Sequence, residues 1–92
     1  MKYYIAVCYD YPAVQTAFPD GIPWAMHTVD PLVTDDGMVA AAPVVVYDDD
    51  SDPAESVGSL PITFYPDTEQ GRTTAQHDYP MIDWPNVPRF VH

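Results

Sequence analysis

Positive charge is what this chain has least of. Lys2, Arg72 and Arg89 are its three bases, set against fourteen acids, and the formal net charge is −11 over 92 residues. Phosphate contacts need Lys and Arg, so the balance counts against direct nucleic-acid binding, and on the same ground against an anionic membrane surface. A single cysteine, Cys8, leaves no intrachain disulfide and excludes a disulfide-stapled scaffold. No apolar run approaches the roughly 18 residues of a membrane span. The N-terminal run breaks at Asp10 and has no small-residue cleavage site, so no signal peptide is expected and the expected compartment is the cytoplasm. Four glycines stand against eleven prolines, and no amphipathic pattern lasts beyond about two turns, which argues against long helices.

What is present favours a folded chain. Hydrophobic residues make up 47%, and seven tyrosines, three phenylalanines and two tryptophans can supply most of a core. At this length about 60–65% of the unfolded surface is buried on folding, enough for one domain of modest stability. The expectation is a single domain over residues 1–92, with residues 80–92 as a proline-rich C-terminal tail lying extended on the core.

The pattern along the chain is mainly β. Residues 3–9 alternate with both faces apolar (Tyr3, Ile5, Val7, Tyr9 against Tyr4, Ala6, Cys8), which predicts an interior strand. Residues 13–18 suit one or two helical turns, with Pro12 at a first helical position. Residues 22–29 read as a second strand, placed at an edge by Pro23. After the turn signal Asp35-Asp36-Gly37, residues 39–47 read as a third strand, with Pro43 expected at a bulge or edge break. Residues 62–65 make a fourth. Residues 67–78 are polar and read as a loop or hairpin arm, turning at Gln70-Gly71. Pro80, Pro85 and Pro88 then keep the tail extended, anchored by Met81, Ile82, Trp84, Val87 and Phe90. The fold class is a small antiparallel sheet or partial barrel with short helical turns; α+β is the alternative. Five prolines follow an aromatic (at Tyr11, Phe18, Tyr65, Tyr79 and Trp84) and stiffen the chain.

The organising stretch is the apolar run 38–47 and the acidic run that follows it. Asp48, Asp49, Asp50, Asp52 and Glu55 place five carboxylates in eight residues, so they face water or a basic partner. Asp35 and Asp36 sit at the other end of the same strand. With Tyr47, these acids form the candidate partner-binding set, because carboxylates can imitate nucleic-acid phosphates before a basic groove. Tyrosine next to an acid recurs at Tyr9-Asp10, Tyr47-Asp48, Tyr65-Pro66-Asp67 and Asp78-Tyr79. There the ring can stack on a guanidinium that the carboxylate pairs. Equally, each Tyr can close the core while its hydroxyl reaches water.

No catalytic, cofactor or metal motif stands out. Asp48, Asp50 and Asp52 match the first places of a calcium loop, but Pro53 replaces the turn glycine and Ser59 the bidentate acid. His27, His77 and His92 lack ligand spacing, and Cys8 has no second thiol. In size and charge the chain resembles small acidic phage-encoded inhibitors, namely nucleic-acid mimics, anti-restriction proteins and anti-CRISPR proteins. That resemblance implies a non-enzymatic inhibitor acting in a host cytoplasm and assigns no residue a role. The alternatives are an ordinary acidic domain of a salt-adapted organism, a small structural or interaction protein, or a small enzyme or metal protein using His77, Asp78 and Cys8.

Overall fold

The computed structural model describes residues 2–19, 25–28, 31–46 and 59–89. Its centre is β1 (Lys2–Cys8), which pairs antiparallel with β4 (Ala40–Val46) on one side and β5 (Ile62–Pro66) on the other. β2 (Ala25–Thr28) and the two-residue β3 (Leu32–Val33) both pair antiparallel with the far side of β4. The strand order among the described residues is β2-β4-β1-β5, and these strands do not close into a complete barrel. The fold is mainly β and antiparallel, as the pattern of short alternating runs predicts.

β1 is interior because both of its faces are covered. Ile5 and Val7 pack with Ala41 and Tyr65 on one face; Ala6 and Cys8 pack with Val44 and Ile62 on the other. All four β1 side chains are buried. The second face is closed by α1 (Tyr11–Ala17) through Val14, with Tyr11 and Phe18 at its rim. Asp10 caps α1 by accepting from the Ala13 N–H at 3.3 Å, and Pro12 occupies the first turn as expected.

The first face is closed by α2 (Glu69–Asp78) and the tail. This corrects the sequence reading of residues 67–78 as a loop turning at Gln70-Gly71. The buried positions of α2 are Gly71, Arg72 and Ala75, so its inner stripe carries almost no hydrophobic signal. Thr68 starts the helix by accepting from the Gly71 N–H at 3.1 Å. A Cβ on Gly71 would stand 1.9 Å from the Pro66 carbonyl oxygen, so the helix can lie against the end of β5 only with glycine there.

Three further expectations change. Pro43 is fully buried in central β4 opposite Ile5, and the irregularity lies in β2, between Ala25 and His27. β4 tolerates the proline because its outer neighbour changes there: β2 pairs residues 44–46 and β3 pairs residues 40–41. The strand β3 is an addition to the four expected. In the tail, Ile82, Trp84 and Val87 are anchors and Trp84–Asn86 forms a 3-10 turn, but Met81 points outward. The five aromatic–proline bonds are not cis.

Candidate binding surface

The hairpin joining β3 to β4 presents the first of the sequence-selected acids. Gly37 has φ of 74° and closes the turn, where glycine alone is unstrained. The Asp36 carboxylate accepts from the Thr34 hydroxyl and, at 3.0 Å, from the Met38 N–H. These bonds, the Thr34 hydroxyl first, hold its pKa below the ordinary carboxylate value. Asp36 therefore shapes the loop and stays ionised, while neighbouring Asp35 is exposed.

Asp35 lines one wall of a cleft of about 290 Å³ between residues 32–35 and residues 81–83. Asp83 lines the same cleft. The structure thus joins to Asp35 an acid that the sequence reading did not select. The available signal was an acid directly before an aromatic–proline pair, but its approach to the hairpin depends on how the tail crosses the sheet. The other candidates, Tyr47, Asp48, Asp49, Asp50, Asp52 and Glu55, lie outside the described residues, as does the calcium-like pattern they contain.

Each of the two arginines is paired with an acid outside this cleft. The Arg72 side chain is 4% exposed, beneath the tail. Its Nη2 donates to the Trp84 and Val87 carbonyl oxygens at 3.0 and 3.1 Å, and its guanidinium stands 5.9 Å from the Trp84 ring centroid. Asp67, 1% exposed, is its ionic counterpart at 3.9 Å. Burial is the main influence on Arg72 and lowers its pKa, opposed by Asp67 and Glu69. On the surface, Arg89 is bound by Glu69 at 3.0 Å.

The tyrosine–acid pairs have separate fates. Asp10 caps α1 beside an exposed Tyr9. Tyr65 is buried, and its hydroxyl donates to Asp78 at 2.7 Å. Asp67 is buried with Arg72 and is not a surface acid at the strand end. Tyr79 is half-buried, with its hydroxyl 3.5 Å from that of Thr63. His77 stands 3.5 Å from Asp78 and is 90% exposed. Cys8 is buried on the face covered by α1, across the sheet from α2, so Cys8, His77 and Asp78 do not meet. Among the described residues no three His, Cys, Asp or Glu side chains gather as a metal site, and no helix is long and apolar enough to cross a membrane. Comparison with protein-family models, curated proteins and solved structures finds no match.

Proposed function

We propose that this protein is a non-enzymatic acidic inhibitor that occupies a basic, nucleic-acid-binding surface of another protein, as nucleic-acid mimics, anti-restriction proteins and anti-CRISPR proteins do. The observation that carries this reading is the placement of the arginines. One is sunk into the core with a carboxylate, and the other is bound by a surface glutamate. Among the described residues, Asp35, Asp36, Asp78 and Asp83 are exposed acids with no Lys or Arg within ion-pair distance. The run at residues 48–55 adds five carboxylates by sequence, and an excess of negative charge of this kind attracts a basic groove and competes with phosphate for it. The binding set comprises Asp35, Asp36, Tyr47, Asp48, Asp49, Asp50, Asp52 and Glu55.

The test is a variant, D48N/D49N/D50N, assayed for capture of nucleic-acid-binding proteins from host lysate at low salt, with duplex DNA as displacer. The expected result is capture by the parent chain that DNA and raised salt reverse, and loss of capture by the variant with its circular dichroism unchanged. Equal capture by both sinks the proposal. A domain merely adapted to high salt would instead lose structure when salt is withdrawn, through self-repulsion.

A further inference from the structure

We propose that the cleft between the β3–β4 hairpin and the tail receives an arginine side chain of the partner protein. The inference rests on the functional reading above and names one subsite within it. The cleft's about 290 Å³ lies just below the 300–1,000 Å³ of ordinary small-molecule pockets, a size suited to one side chain. Its lining comes from two parts of the chain, residues 32–35 and 81–83, and each contributes one carboxylate, Asp35 and Asp83; no base among the described residues lines it.

The two acids are available. Asp35 is exposed and has no hydrogen-bond partner among the described residues. The exposed Asp83 accepts from the Asn86 amide through Oδ2, and no hydrogen bond among the described residues occupies Oδ1. The same cleft is lined by Met81, 58% exposed, and Val33, 39% exposed, two large apolar side chains left uncovered. Acceptors from two segments and exposed apolar surface in one cleft match the arginine side chain. Its planar guanidinium offers five donors, and its methylene stem can cover Met81 and Val33. Lysine presents a compact, strongly hydrated charge that bridges two separated carboxylates less well.

The probe is N-acetyl-arginine amide, titrated into the full chain and followed by amide chemical shifts, with N-acetyl-lysine amide in parallel. Shifts centred on residues 32–35 and 81–83, and tighter binding of the arginine probe, are expected. D35N/D83N should weaken it at least about tenfold, as loss of two charge-assisted contacts implies, while D48N/D49N/D50N should change it less than about twofold. M81K, which offers the cleft its own ammonium at an exposed position, should also block the probe. Shifts spread evenly over every acidic segment, or undiminished binding in both D35N/D83N and M81K, would overturn the subsite. That failure is distinguishable from failure of the inhibitor reading, which depends on loss of partner capture by D48N/D49N/D50N.

Discussion

Arg72 Nη2 donates to the Trp84 carbonyl oxygen at 3.0 Å while the same guanidinium stands 5.9 Å from the Trp84 ring, so one buried cation holds the tail by both backbone and side chain. Replacing it with methionine removes both carbonyl contacts and the ion pair with buried Asp67. R72M should cost about 3–5 kcal/mol, a large part of the stability of a domain this size. R72K keeps the charge but loses the forked geometry and should fall between parent and R72M. Urea unfolding of the three proteins checks the order.

Gly71 gives a prediction opposite to helix propensity. Alanine in a helix is ordinarily about 1 kcal/mol better than glycine. Here its Cβ would meet the Pro66 carbonyl oxygen at 1.9 Å, and that oxygen belongs to backbone that cannot rotate away. G71A should therefore destabilise by about 1–3 kcal/mol through forced displacement of α2 from β5. A midpoint of thermal unfolding equal to or above that of the parent chain would refute the packing argument.

The Tyr65–Asp78 hydrogen bond links stability to pH at both ends of the scale. Burial first, then Asp78, raises the Tyr65 pKa. That contribution is complete below the unfolded tyrosine value of about 10 and declines as pH rises above it. The Tyr65 hydroxyl, then His77, lowers the Asp78 pKa. This second contribution is present above the unfolded carboxylate value of about 4 and is lost as pH falls through the depressed one. Y65F should flatten the alkaline loss and reduce the acid loss, measured as unfolding free energy at pH 2–11; an unchanged profile would refute the coupling.

Cys8 should be inert in the folded protein. Burial on the α1 side pushes its thiol pKa up to about 11, so little thiolate exists at neutral pH and little of it is accessible. Iodoacetamide at pH 8 should leave the native chain unmodified over hours and alkylate it within minutes in 6–8 M urea (denaturing conditions), as read by intact mass.

Much of the sheet is legible in the sequence. β1 declares itself by two apolar faces, and both faces are packed. Tyr11-Pro12 and Asp35-Asp36-Gly37 mark α1 and the hairpin turn through fixed φ, capping and positive φ, all of which are local properties. α2 is not legible in the same way, because the stripe it buries is Gly71, Arg72 and Ala75. A charged residue on an inner face reads as solvent-exposed until its partners are known. Pro43 misleads for a related reason: a missing N–H is harmless where β2 gives way to β3, and that junction is a property of the assembled sheet.

The sequence by itself determined the apolar runs that make β1 and β4 core strands, the excess of carboxylates and the absence of an intrachain disulfide, since each follows from residue type and near-neighbour spacing. Only the tertiary structure decided where the two arginines go and which acids share a cleft. Arg72 is buried because Asp67 and two tail carbonyls surround it, and Asp35 shares a cleft with Asp83 because the tail passes beside the hairpin. Both are contacts between residues far apart in the chain, fixed by how the layers pack and invisible to any local pattern.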